Sequence, residues 1–310
     1  MHLPFTGIAS FCKLPIHTDL ATLKANVAVL GVPYDGGSTN RPGARFGPRA
    51  VREASTLYSY FEHGERGYFD VEEGRRLLSD VDIVDAGDVD ILPTLTDATF
   101  VNVTRAIQLI LSHGAMPVVV GGDHSVTFPV VRAFDASDGP IDVVHLDAHV
   151  DYNATFLSVE HAHGNPMRHV HRLPFVRNLT QIGIRGLVVA ERSYKDALER
   201  GVKIATARDV QRHGVAYAVE MIPPSDRIYV SFDVDVLDPC FAPGTGTPEV
   251  GGLSYLEVKE ILRGIAAKGK VVGFDVMEVN PLYDPAAVTA QTAARLIIDF
   301  LGMIEASRAD

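Results

Sequence analysis

Cysteine is scarce in this chain of 310 residues. Only Cys12 and Cys240 occur. Two thiols are too few for a disulfide framework, so they read as free cysteines in a reducing compartment. No stretch approaches the roughly 18 consecutive apolar residues that a membrane span needs. The first residues carry no basic leader and are broken by Pro4 and Pro15, which argues against a secretory signal and points to the cytoplasm. Positive charge is in deficit: 28 Lys and Arg stand against 39 Asp and Glu, a net charge of −11. That balance speaks against a nucleic-acid or anionic-membrane partner. The Gly- and Pro-rich stretch 242–252 is not followed by a phosphate-loop Lys and reads as a shaped rim loop. Internal repeats, low-complexity tracts and linker-like breaks are missing too. Residues 1–310 are therefore expected to form one domain, and at 46% hydrophobic the chain has enough apolar surface for a large core.

What the chain does contain is a recurring unit: a short β-branched run, a loop with an acid or glycine, then a helical stretch. The pattern predicts strands at about 26–32, 82–87, 116–121, 141–147, 179–184, 202–206, 227–233 and 271–277. Helices are expected at about 48–60, 97–113, 126–135, 190–200, 208–221 and 254–267, with a last amphipathic helix at 286–305. Alternation of this kind means an α/β fold, with a parallel sheet and crossover helices on both faces. In such sheets ligands bind beyond the carboxyl ends of the strands.

Three of those strand ends carry acids and imidazoles. They are Gly121-Gly122-Asp123-His124-Ser125, Asp147-Ala148-His149-Val150-Asp151 and Ser231-Phe232-Asp233-Val234-Asp235. Burying carboxylates there would cost several kcal/mol each unless something positive met them. Side chains of an extended segment alternate faces, so Asp147, His149 and Asp151 are expected to point one way, as are Asp233 and Asp235. With His124 these make four carboxylates and two imidazoles, enough for two divalent cations when some carboxylates bridge. Oxygen-rich ligation with imidazole and no thiolate favours Mn²⁺, with Ni²⁺ and Co²⁺ as alternatives.

Charge counting then bears on the substrate. Four carboxylates balance two divalent ions, and Glu278, at the end of the last strand, adds another negative charge. Such a mouth prefers a cation, and a guanidinium is planar, permanently charged and matched to a carboxylate by paired hydrogen bonds. Guanidinium carbon is a poor electrophile, so its hydrolysis needs an activated water, which paired metals supply. The residues point to metal-assisted hydrolysis of a cationic C–N bond without singling out one substrate.

At these residues the chain resembles the ureohydrolases: arginase, agmatinase and their guanidino-acid-hydrolysing relatives. The resemblance runs from about residue 27 to residue 300 and includes GVPYDGGSTNRPGARFGPRAVREAS, GGDHS, DAHVD, SFDVDVLDPCFAPGTGTPEVGGLS and GFDVMEVNP. It implies a three-layer arginase-like fold with a central eight-stranded parallel sheet. It also implies that His124, Asp147, Asp151 and Asp233 bind one Mn²⁺, while His149, Asp147, Asp233 and Asp235 bind the other. Glu278 would hold the substrate guanidinium. His163, in the loop after the second metal motif, would shuttle a proton to the departing amine, with His161 as its competitor. A homo-oligomer, trimer or hexamer, is expected on the same ground.

Agmatine is the leading substrate on these motifs, because the QIGIRG and RPGARFGPRA segments look agmatinase-like and the acidic pair that arginase-like sequences carry after Gly183-Ile184-Arg185 is missing. A guanidino acid such as 4-guanidinobutyrate or 3-guanidinopropionate is the runner-up, since Asn153 and Arg168 lie where they could meet a carboxylate tail. Arginase comes third, as Asn153 also fits that pattern. A single-metal deacylase on the same fold is the alternative of a different class. Asp123 reads as structural in its turn, His145 as either a support for the ligands or a satisfied core histidine, and Cys240 as packing.

Overall fold

The β-branched runs fold as strands and lie side by side. Structure is described here from a computed structural model for residues 3–61, 65–134, 138–155 and 158–308. In chain order it opens with β1 (Val27–Gly31), α1 (Gly47–Ser55), the short pair β2 (Tyr68–Asp70) and β3 (Arg75–Leu77), and β4 (Ile83–Asp88). It continues with α2 (Thr96–Ser112), β5 (Met116–Val120), α3 (Thr127–Val131), β6 (Ile141–Leu146), α4 (Pro166–His171) and β7 (Val176–Ile184). Then come α5 (Glu191–Glu199), β8 (Lys203–Thr206), α6 (Ala207–His213), α7 (Val215–Met221) and β9 (Ser225–Asp233). The last elements are α8 (Tyr255–Lys268), β10 (Gly269–Met277) and α9 (Val288–Ser307). Among the described residues no helix is long and apolar enough to cross a membrane.

Eight strands make one parallel sheet in the order β4-β1-β5-β10-β9-β6-β7-β8. Alternate residues of a strand feed different cores, as the two-residue period requires. Val27 and Val29 of β1 and Met116, Val118 and Val120 of β5 pack with Val51 of α1, Ile261 of α8 and Leu296 of α9. Ala28, Leu30 and Val119 pack with Phe100 and Ile107 of α2, Val130 of α3 and Met167 of α4. Each face of the sheet is thus covered by its own helix layer, and the arrangement is the three-layer α/β fold expected. Strands buried on both faces read as the continuous apolar runs seen in the sequence.

Several boundaries differ from the sequence expectation. The stretch 208–221 is two helices, because Gly214 between them has a φ of +83°, outside the helical region. The helix expected from 126 to 135 is a 3₁₀ turn followed by five α-helical residues. The antiparallel β2–β3 pair and the six-residue α4 carry too little periodicity to be read in advance. Helix α8 begins at a capping box, Ser254 with Glu257, which closes two of its first amides reciprocally.

The glycine pair after β5 has a packing cause. A methyl on Gly122 would overlap the carbonyl oxygen of Tyr34, and one on Gly121 the sulfur of Met277. The loop after β5 is therefore pressed against both the β1 end and the β10 end. Gly122→Ala should destabilise the protein by about 1–3 kcal/mol through overpacking, read as a lower urea midpoint. An unchanged midpoint would show that the backbones do not approach this closely.

Candidate metal centre

Four adjacent strands deliver the acids and imidazoles to one place. Beyond β5 lie Asp123 and His124, beyond β10 Glu278, at the end of β9 Asp233 and Asp235, and beyond β6 Asp147, His149 and Asp151. The order β5-β10-β9-β6 makes these ends contiguous, so sheet pairing gathers what the chain separates by up to 155 positions. The local backbone is not extended, however. Residues 234–236 form a 3₁₀ turn in which Asp233 accepts the amide of Asp235, and Asp151 has a φ of +47°. The two-residue alternation expected for these clusters does not apply; tight turns aim the side chains instead. Glu278 likewise has a φ of +64°, and such sparsely populated conformations persist only where surrounding contacts over-determine them.

His124 shows what the cluster lacks. Its Nδ1 lies 3.0 Å from Asp233 Oδ2, 3.1 Å from Asp147 Oδ2 and 3.4 Å from Asp151 Oδ2. On the other side of the ring, Nε2 is 2.9 Å from Ser231 Oγ. Ser231 in turn donates to the fully buried Asp275 at 2.8 Å, and Tyr229 and Thr127 donate to the same carboxylate at 2.6 and 3.0 Å. With its single proton committed to Asp275, Ser231 is left to accept from Nε2–H. The Nδ1 lone pair then faces three carboxylate oxygens. A proton on Nδ1 could satisfy one of them, whereas a divalent cation accepts all four donors at once. The relay from Asp275 fixes the ring tautomer that metal ligation requires.

The second group forms beside the first. His149 Nδ1 is 3.1 Å from Asp235 Oδ2 and 3.3 Å from Asp147 Oδ1. Asp147 thus turns one oxygen toward each imidazole, the geometry of a bridging carboxylate. Its Oδ2 is buried without a hydrogen bond, although His145 Nε2 is only 2.8 Å away, because the alignment is poor. By distance His145 belongs with His124, Asp147 and Asp151, just as Asp147, His149 and Asp235 form a set of their own. The Gln181 amide nitrogen, though, donates to Val150 O at 2.7 Å and meets His145 Nδ1 at 2.9 Å. That leaves the His145 proton on Nε2, so this ring turns its N–H toward Asp147 and does not offer a lone pair to a cation. Imidazole and carboxylate donors, without thiolate, fit hard to borderline divalent ions.

Electrostatics point the same way. Burial pushes Asp151 up to about 8, with the charge of Asp147 adding to it. Burial followed by the charges of Asp235 and Asp147 holds Asp233 well above the usual carboxylate range. Asp147 is held well below it despite burial, by His145, His124 and His149. So many acids in so small a volume do not all ionise with imidazoles alone as counter-charges.

These groups floor a cleft of about 430 Å³ lined by His149, Asp151, Asp233, Glu278, His163, Asn153, Arg41, Val188 and Glu249, among others. Glu278 Oε1 accepts the backbone amide of His124 at 3.0 Å, while Oε2 faces the bare α-carbon of Gly246. His163 Nδ1 stands 3.4 Å from Glu278 Oε1. Burial lowers the affinity of this imidazole for its proton, but the carboxylate of Glu278 more than offsets that, and its pKa rises to about 9. His161 points elsewhere, stacked on Phe128 and tilted against Phe100 and His169.

One of the two residues expected at the substrate needs correction. Arg168 is outside the cleft, paired with Asp196 and lying over the Tyr152 ring. Asn153 does line the cleft, where one amide hydrogen goes to Gly164 O at 2.9 Å and its carbonyl accepts from Ser193 at 2.6 Å. Cys240 is exposed rather than packed. Asp275, Ser231, Gln181 and Arg185 were not read in advance. Arg185 donates to backbone carbonyls of Asp235, Glu249 and Val250, tying a metal-site turn to the rim loop. An Arg immediately after a strand and an acid inside β10 are the signals that Arg185 and Asp275 left in the sequence.

The whole chain has relatives. Residues 25–302 match the model of the arginase family. Proclavaminate amidinohydrolase of Streptomyces clavuligerus is 38% identical over 96% of this chain and 93% of its own length. Its solved structure superposes with a TM-score of 0.85, covering 99% of both chains. Guanidinopropionase of Pseudomonas aeruginosa is 36% identical over 98% of this chain and 94% of its own, and mitochondrial agmatinase of Gallus gallus 35% over 95% and 85%. The chain belongs to the arginase family.

Equilibrium dialysis with elemental analysis should find two divalent ions per chain, and Asp147→Asn should lose both while Asp151→Asn loses one. Because protons on raised carboxylates compete with metal, affinity should climb as pH rises toward about 8, the value for Asp151. A single ion at saturation, or pH-independent uptake, would contradict this geometry.

Proposed function

We propose that this protein is a metal-dependent amidinohydrolase that releases urea from a guanidino compound. The observation that carries it is the convergence of two imidazole–carboxylate groups sharing Asp147, with Glu278 and His163 on the wall of the same cleft. Paired divalent ions, Mn²⁺ by preference and Ni²⁺ or Co²⁺ as alternatives, would supply an activated water at the cleft floor. His124, Asp147, Asp151 and Asp233 would hold one ion, and His149, Asp235 and the same Asp147 and Asp233 the other.

Glu278 would receive the guanidinium. Its Oε1 is pinned by the His124 amide, and Oε2 opens toward the space that Gly246 leaves free. A carboxylate held in this way fixes the orientation of a planar cation before reaction. His163, with its pKa raised to about 9, is protonated at neutral pH and placed to give that proton to the departing amine. His163→Ala should lower kcat by about 10²–10⁴-fold with metal content unchanged, while His161→Ala, in its aromatic cluster, should lower stability and spare kcat. Reversal of the two outcomes would reassign the proton carrier.

The motifs rank agmatine first, and Glu249 at the cleft mouth, packed over Gly186, suits its ammonium tail. A second reading, a guanidino acid, is favoured by Arg41, whose guanidinium lies 5.3 Å over the Tyr283 ring on the same mouth and would meet a carboxylate tail. Urea release from agmatine, 4-guanidinobutyrate, 3-guanidinopropionate and arginine, assayed side by side, decides between them. If agmatine is the substrate, Glu249→Gln should raise its KM about tenfold, the loss of one charged hydrogen bond, and Arg41→Met should not. The converse pattern would establish the guanidino acid. Turnover of acyl-lysine-type amides, with none of these four, would support the deacylase instead.

A further inference from the structure

We infer that Thr39 is the positioning residue of His163, holding the imidazole through both of its protonation states. This rests on the reading of His163 as the proton carrier. Thr39 Oγ1 lies 2.7 Å from His163 Nε2, the ring atom farther from the cleft acid, while Nδ1 faces Glu278. The Thr39 backbone amide also approaches Nε2, at 3.4 Å. An amide only donates, so it cannot pair with an Nε2 that carries hydrogen, and the hydroxyl is the group left to accept there. A hydroxyl both donates and accepts. When the proton comes and goes at Nδ1, Nε2 keeps its hydrogen in both states, so the hydroxyl accepts Nε2–H throughout and the ring need not turn.

The loop that presents Thr39 is built to hold it still. Asp35 accepts the amide of Gly43 at 2.7 Å and that of Arg45 at 3.2 Å. Asp123, fully buried, accepts the amide of Gly37 at 2.6 Å. The His163 amide donates to the carbonyl of Gly37 at 3.1 Å, so the two loops are stitched together beside the hydroxyl. Thr39 itself is exposed, and an exposed loop residue would not need such anchoring for the stability of the core.

Thr39→Val removes the hydroxyl at nearly constant shape, and Thr39→Ser keeps it. In the manganese-loaded enzyme, Thr39→Val should lower kcat about tenfold with KM and metal content unchanged, and Thr39→Ser should restore most of the loss. In protein labelled with ¹³C at histidine Cε1, relaxation of the His163 ring should report increased motion in the valine variant and wild-type order in the serine variant. Wild-type kcat in Thr39→Val, a serine variant as slow as valine, loss of metal, or an unaltered ring would each overturn the inference. His163→Ala, run in parallel, separates the two failures: normal turnover there removes the proton-carrier reading, whereas slow turnover beside a fast Thr39→Val removes only the role of Thr39.

Discussion

Crowded carboxylates beneath the surface are the constraint around which this molecule is arranged. Asp147, Asp233 and Asp235 are buried almost completely, with Glu278 and Asp123 beside them. In a medium of low polarity their mutual repulsion and lost hydration cost several kcal/mol per charge unless cations intervene. Protonated imidazoles relieve part of that cost, but one N–H at His124 cannot serve three oxygens. The fold is thus a scaffold that holds anions together against their own repulsion, and the cations they favour complete it.

Holding them requires a rigid surround. The sheet supplies it on a coarse scale by placing β5, β10, β9 and β6 next to one another. On a finer scale, hydrogen bonds behind the site orient His124, from Asp275 through Ser231, while Gln181 holds His145 with its Nε2 2.8 Å from Asp147. These groups are buried, where an unpaired polar atom is expensive. Left-handed backbone at Asp151 and Glu278 adds local strain, which the packed sheet ends sustain.

The mouth of the cleft obeys different rules. Relatives with 35–38% identity over nearly the whole chain carry names that specify different guanidino substrates. In this chain the cleft is lined, away from the acids and imidazoles, by residues such as Arg41, Val188 and Glu249. Loops tolerate exchange because few buried contacts depend on them.

Much of this was legible in the sequence. Buried runs such as Met116–Val120 and Ile141–Leu146 declared their strands, because a strand covered on both faces must be apolar throughout. The acids and imidazoles that follow them marked the candidate ligands, since several anions at the ends of such runs call for a positive partner. What the linear pattern could not carry was direction. Asp147 and Asp151 were expected to align by extended alternation, yet a left-handed residue and short turns aim them. Arg168 and Asn153 looked available and are engaged with Asp196, Gly164 and Ser193. Thr39 and Ser231 gave no local signal of a role, because each matters only through a partner at least 107 positions away. Composition and period determine which side chains are buried and which strands form; only the packed structure decides which atoms of distant residues fall within hydrogen-bond reach, because that depends on strand order and loop conformation rather than on any property of the residues themselves.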